Sequence, residues 1–302
     1  MRLPDLGLGP QELVAIIGAG GKSTLLLGLG RHQSEQGRAV VMTTTTKMGA
    51  DQLPEWAVPC RTRDEISAAM ARGEPAFLLA DVDHSKIVGA TASLVDEVFA
   101  LDEVDSVFVE ADGAAGQLLK APADHEPVFP TSTTVVLAVA GLGAIGGRIA
   151  DVTHRPERVA GLLGCGVDHV LEPIDLATVL GHARGGLWLV PDAARVVVVL
   201  TGAGHPGARR QIATALGANP RIDRVVLRDR FDVRIVKTPH HGFSFTTDHT
   251  LVIGLPMLLT LSPLDMHVLI ARRVGQLAGE GGKVNHWLYY LRDIWGQYLR
   301  KC

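Results

Sequence analysis

The segment Gly18-Ala19-Gly20-Gly21-Lys22-Ser23-Thr24 stands directly between the apolar run Leu13 to Ile17 and the helix-forming run Leu25 to Leu29. A buried strand that breaks on glycines and restarts as a helix leaves several backbone N–H groups pointing at one spot, where the positive end of the helix dipole also lies. An anion belongs there. Lys22 can reach the outer phosphates of a nucleoside triphosphate, and the Ser23 hydroxyl can ligate the accompanying Mg²⁺. The full P-loop pattern asks for a glycine five residues before Gly21, where this chain has Ile16, so the loop is a shortened variant, Gly-x-x-Gly-Lys-Ser. The bland alternative is a glycine-rich turn with no ligand.

Three further groups sit where they could serve such a loop. Val107-Phe108-Val109 is followed by Glu110 and, two residues on, by Asp112. An acid at a strand tip can hold Mg²⁺ directly or through water, or position a nucleophile, and either carboxylate qualifies. Thr43-Thr44-Thr45-Thr46-Lys47 follows another apolar run. Hydroxyls buried without partners are costly, so one or two of Thr43 to Thr46, Thr44 and Thr45 foremost, either meet a γ-phosphate or a metal-bound water with Lys47 adding charge, or the four satisfy the backbone of their own turn. The stretch Gly113 to Pro130 reads as a long ordered loop carrying Lys120, Asp124, His125 and Glu126. Lys120 suits an anionic second substrate, and His125 or Glu126 suits proton transfer.

Other signals are weaker. Gly141-Leu-Gly143-Ala-Ile-Gly146 matches a dinucleotide fingerprint, but no apolar-periodic helix starts there and no acid stands at the distance a ribose needs. Those glycines read better as a turn near the nucleotide. His240, His241 and His249 fit no metal-ligand spacing. Cys60, Cys165 and Cys302 are odd in number and far apart, which indicates neither a disulfide framework nor a zinc site and suits a reducing cytoplasm.

The elements that must position these residues follow from hydrophobic patterning. Continuous apolar runs at Leu13 to Ile17, Ala39 to Met42, Ala76 to Leu79, Ser106 to Val109, Thr134 to Ala140, Val196 to Leu200 and Arg224 to Leu227 suit strands covered on both faces. Helical candidates alternate with them at Ser23 to Glu35, Asp64 to Arg72, Ala92 to Leu101, Pro156 to Leu163, Asp175 to Ala183 and Gly207 to Leu216. This alternation predicts an α/β fold, a three-layer P-loop-type domain with a mainly parallel sheet. In such sheets ligands sit beyond the carboxyl ends of the strands, where the glycine loop, the threonines and the two acids all fall.

Eight of the fourteen aromatic residues lie beyond residue 230, so the expected organisation is a nucleotide-binding domain over 1–230 and an extension over 231–302. Val284, Trp287, Leu288, Leu291, Ile294, Trp295, Tyr298 and Leu299 follow helical spacing and predict an amphipathic closing helix, packed on the main domain or docking a partner. A net charge of −3 over 302 residues gives no general pull toward nucleic acid or an acidic membrane. The longest apolar run elsewhere, Leu251 to Leu261, is interrupted by Gly254 and Pro256 and falls well short of the roughly 20 residues a bilayer requires, and no signal peptide is expected at the start.

Read together, Gly18 to Thr24, Thr43 to Met48, Val109-Glu110-Ala-Asp112-Gly113-Ala114 through Leu119-Lys120-Ala-Pro122, His125-Glu126-Pro127 and His154-Arg155-Pro156-Glu157 resemble the YqeC-like family. Its members are described as selenium-dependent molybdenum hydroxylase accessory, or selenium cofactor biosynthesis, proteins. The resemblance runs from about Leu13 to Leu227. It implies a P-loop nucleotide-binding fold and a role in maturing a selenium-containing molybdenum cofactor for hydroxylases, with a molybdenum cofactor species or the hydroxylase as partner. On this resemblance Lys22 and Ser23 fall on the phosphate motif, Glu110 and Asp112 on the acidic motif, and Lys120, His125 and Glu126 on the loop motif. After Val196 to Leu200 the chain has Thr201-Gly-Ala-Gly-His205-Pro206 and no Asn-Lys-x-Asp pattern for guanine.

Three functional classes follow. The first is a Mg²⁺-dependent NTPase or ATP-using transferase, with ATP or another nucleoside triphosphate as ligand and phosphoryl transfer carried by positioning and charge neutralisation. The second is a nucleotide-gated accessory protein with little turnover. The third, an ATP-dependent ligase, needs a large acceptor domain, for which the roughly 70 residues after Phe231 are few.

Overall fold

The computed structural model describes residues 6–83, 85–202 and 206–228, together with the strand segments 233–236, 243–245 and 251–254. The chain divides into two compact units, 1–229 and 230–302.

The first unit opens with β1 (Glu12–Gly18), α1 (Lys22–Glu35) and β2 (Val40–Thr44). There follow β3 (Lys47–Gly49), β4 (Val58–Cys60), α2 (Arg63–Ala71), β5 (Ala76–Leu78), β6 (Asp81–Asp83), β7 (Lys86–Val88) and α3 (Ala92–Phe99). The remainder comprises β8 (Ser106–Glu110), β9 (Leu119–Lys120), β10 (Val135–Gly141), α4 (Ile149–Val152), β11 (Thr153–His154), α5 (Pro156–Leu163), α6 (Pro173–Gly181), β12 (Arg195–Thr201), α7 (Pro206–Gly217) and β13 (Arg224–Arg228).

Eight strands form one sheet in the order β13-β12-β10-β1-β8-β2-β5-β4, and every pairing in it is parallel. Alternate residues of β1 feed opposite cores, because side chains of a strand alternate between faces. Leu13, Ala15 and Ile17 join the larger core, with helices α2, α3, α5, α6 and α7. Val14 and Ile16 join the other, with Leu25, Leu26 and Leu29 of α1 and with Met48 and Ile87. A small antiparallel sheet, β3-β7-β6, supplies those last two residues.

Strand order sets the site. From β1 the chain passes through α1 to β2 and leaves a slot, which β8 later fills; it then crosses to the far side of β1 to form β10. The sheet therefore grows in both directions from β1, and the crevice at such a switch point is where open α/β sheets hold ligands. The Gly18–Thr24 loop occupies it.

In the second unit β14 (Val233–Val236) pairs parallel with β16 (Leu251–Gly254), which pairs antiparallel with β15 (Phe243–Phe245). The amphipathic pattern of 284–299 and the histidines His205, His240, His241 and His249 lie outside the described residues. Among the described residues no helix is long and apolar enough to cross a membrane.

Candidate phosphate-binding site

The glycine loop is held from beneath by its neighbouring strands. Ala19 N–H donates to the Val139 carbonyl at 2.9 Å, and the Thr201 hydroxyl donates to the Gly20 carbonyl. Gly20 has φ +80°, and a Cβ there would lie 2.5 Å from Gly141 N, so only glycine lets the loop settle against the end of β10. The Gly141-Leu-Gly143 stretch turns beside the glycine loop through a short 3₁₀ turn at Leu142–Ala144, with no long helix starting there.

The amides above this floor are unspent. The first bond into α1 runs from Leu25 N–H to Gly21 O at 3.0 Å, and among the described residues no acceptor meets the N–H groups of Gly20, Gly21, Lys22, Ser23 or Thr24. By contrast, α2 starts with a capping box of Thr62 and Glu65, and α3 with the Thr91 hydroxyl. A helix start left without a side-chain cap keeps its donors for an external acceptor.

Parallel pairing of β1 with β8 sets Ile16 opposite Glu110, which delivers both acids to the loop. Ser23 Oγ–H donates to Glu110 Oε2 at 2.8 Å. Lys22 Nζ–H donates to Gly18 O at 2.9 Å and lies 3.4 Å from Glu110 Oε1 and 3.2 Å from Asp112 Oδ1. Asp112 lies beyond the end of β8, yet its Oδ2 accepts the Gly18 amide at 3.0 Å. The two acids thus divide the work: Glu110 faces Ser23, whereas Asp112 anchors the start of the loop.

The pairing of charges continues from Asp112 away from the loop. Lys120 Nζ lies 3.1 Å from Asp112 Oδ2 and 3.1 Å from Glu126 Oε1, and it also donates to Gly113 O at 2.6 Å. Glu126 Oε1 further accepts the Ala123 amide at 3.1 Å and pairs with the Arg155 guanidinium. Burial works to raise the Glu126 carboxyl, but the Lys120 ammonium, the Ala123 amide and Arg155 outweigh it and hold the group below its ordinary value. His154 stands opposite Lys120 in the pairing of β11 with β9. Burial, then Arg155 and Lys120, push its imidazole below the usual histidine value.

The remaining candidates are placed differently. The Thr43 hydroxyl donates to Leu78 O at 2.7 Å, Thr44 to Glu110 O at 3.0 Å and Thr45 to Val128 O at 2.9 Å. Their hydroxyl hydrogens are committed to backbone, and Thr44 and Thr45 tie the tips of β2 and β8 and the 128 loop together. His125 is exposed, while its neighbour Glu126 turns inward. Arg155, which the residue pattern did not single out as a site residue, completes the cluster from a left-handed backbone position, φ 62°, just before the proline that starts α5. No spacing rule announces such a residue.

The family model described as "YqeC protein" matches residues 14–157, a span holding the loop, both acids, Lys120, Glu126, His154 and Arg155. A protein of Escherichia coli (strain K12), named "Uncharacterized protein YqeC", is 32% identical over 198 residues, which cover 64% of this chain and 77% of that protein. No solved structure matches the chain.

Proposed function

We propose that this chain, which belongs to the YqeC protein family, binds a nucleoside triphosphate at the Gly18–Thr24 loop and acts as a Mg²⁺-dependent NTPase or ATP-using transferase in the maturation of a selenium-containing molybdenum cofactor. The observation that carries the nucleotide half is the Ser23–Glu110 pair at 2.8 Å, set beside Lys22 at the mouth of an uncapped helix. The molybdenum half is supported by the family resemblance.

The donor set fits the proposed cation. Ser23 Oγ and Glu110 Oε2 are adjacent oxygens of the kind Mg²⁺ prefers, and among the described residues no group of three or more His, Cys, Asp or Glu gathers to hold a metal by itself. A cation here would take its other ligands from phosphate and water. When bound, it supplies neutralisation of the phosphate charge.

The chain's own residues do the positioning. Amides of Gly20 to Thr24 receive phosphate oxygens, and Lys22 exchanges the Gly18 carbonyl and the carboxylates for the outer phosphate. Asp112 keeps the loop in register through the Gly18 amide, and Lys120 compensates its charge once Lys22 turns away. Melting curves with ATP, GTP and CTP, each with and without Mg²⁺, test the proposal: a Mg²⁺-dependent rise is expected for at least one triphosphate. No rise with any of them removes it.

One observation favours the gated accessory reading. Lys22, Asp112, Lys120, Glu126 and Arg155 form an unbroken run of alternating charges, so moving Lys22 redistributes pairing as far as α5. ATP hydrolysis that appears only on adding molybdenum hydroxylase or molybdopterin supports gating. Steady turnover with a small substrate alone supports the enzyme.

A further inference from the structure

We propose that a pocket of about 310 Å³, walled by Pro122, Asp124, Arg158, Gly161, Arg184 and Trp188, binds an anionic molecule that carries a planar ring. Neither the glycine loop nor either acid lines it, and the proposal stands independently of what that loop binds.

The volume lies at the lower end of the range that small-molecule sites occupy. Charge selects the ligand's sign. Two guanidiniums face the pocket against one carboxylate, and that carboxylate, Asp124, is already held by Arg158 at 3.0 Å. The same Arg158 nitrogen donates to Pro122 O at 3.1 Å, which fixes one guanidinium as part of the wall. Arg184 has no carboxylate within ion-pair distance among the described residues; its guanidinium lies 5.2 Å from the centre of the Trp188 ring. A flat cation resting on an indole leaves its in-plane N–H donors free for an anion, and the indole with Pro122 offers flat apolar walls for a ring.

Gly161 provides the space. It lies on α5 and lines the pocket, and a Cβ at this position would meet nothing within 4 Å. The pocket also adjoins the charged cluster: Pro122 is two residues beyond Lys120, and Asp124 is two before Glu126. An occupant would therefore bear on the segment that Lys120 and Glu126 pin.

Flavin mononucleotide, a planar ring with one phosphate, is the probe, read by its fluorescence polarisation, with riboflavin and inorganic phosphate as its two halves. Saturable binding of flavin mononucleotide is expected, with riboflavin and phosphate at least tenfold weaker. Arg184→Ala and Trp188→Leu should each weaken it about tenfold. Gly161→Leu should abolish it with the melting temperature unchanged or raised, since the new side chain enters open space on a helix. Ser23→Ala should keep flavin mononucleotide affinity while losing Mg²⁺-ATP stabilisation, so the two assignments fail separately. No saturable binding up to millimolar probe, or affinity within twofold of the parent in Gly161→Leu, overturns the pocket whatever ATP does.

Discussion

The ammonium of Lys22 lies 3.2 Å from Oδ1 of Asp112, and only 4% and 2% of the two side chains are exposed. Charges this deeply buried persist only when paired, because neither can recover its hydration. The lysine that would grip a phosphate is thus also a structural counter-ion. Its two tasks are linked through one nitrogen.

Lys22→Ala should therefore cost stability as well as ligand binding. The glycine loop alone suggests a variant that folds normally, but truncation leaves Glu110 and Asp112 short of a cation, a loss of about 3 kcal/mol for a buried pair. Urea denaturation with and without Mg²⁺-ATP is the measurement. The expected result is a lower midpoint and no shift on adding nucleotide, with part of the midpoint regained in Lys22→Met combined with Asp112→Asn.

Ser23→Ala and Glu110→Gln should separate metal from nucleotide. Each removes one oxygen from the proposed cation site or weakens its charge, while the loop amides and Lys22 remain. Thermal stabilisation by ATP should lose its dependence on Mg²⁺ and fall to the level seen with EDTA. Full Mg²⁺ dependence retained in both variants would move the metal elsewhere.

Gly20→Ala should damage the loop by sterics alone. The new methyl group would lie 2.5 Å from Gly141 N and 2.8 Å from Gly141 Cα, and φ +80° is a region alanine avoids. Two backbones cannot part without moving β10, so a cost above about 2 kcal/mol is expected, with loss of nucleotide binding. Gly116→Ala has a similar φ, +76°, but its Cβ would meet nothing within 4 Å, and it should be milder.

Acid should destabilise the fold through two groups. Glu126 holds its proton less tightly in the folded chain than in the unfolded one, so its charge adds stability at neutral pH, and that stability is lost as pH falls through the lowered value. His154 acts in the same direction. Below the ordinary histidine value near 6.5 the unfolded chain takes up a proton that the folded imidazole still refuses, and stability falls with pH until that lowered value is passed. Melting temperature should decline from about pH 7 to about pH 4; His154→Gln should flatten the upper part of the decline and Glu126→Gln the lower. A wild-type curve level across this range would contradict both.

Long buried strands were legible because every residue of a run such as Val135–Gly141 is apolar on both faces. The edge strand Val58–Cys60 was not: it is three residues long and contains Pro59, tolerated at an edge where one side of the strand needs no ladder bond. The β3-β7-β6 sheet, built from segments such as Asp81–Asp83, carries no apolar period either. Between residues 113 and 130, where the short β9 is the one strand among irregular backbone, no periodicity separates neighbours, so the sequence does not distinguish His125, which is exposed, from Glu126, which is buried.

The order of residues along the chain is sufficient to determine a strand, a glycine break and a helix, and with them a set of amides left without backbone acceptors at the helix start, because those are consequences of local backbone geometry. Which acid meets which cation is not local. Glu110 reaches Ser23 only because β8 inserts beside β1 in a register that sets it opposite Ile16, and Arg155 reaches Glu126 only through a left-handed turn ahead of α5. Strand order and register depend on how two cores close over the sheet, so the charged cluster became visible only in the folded chain.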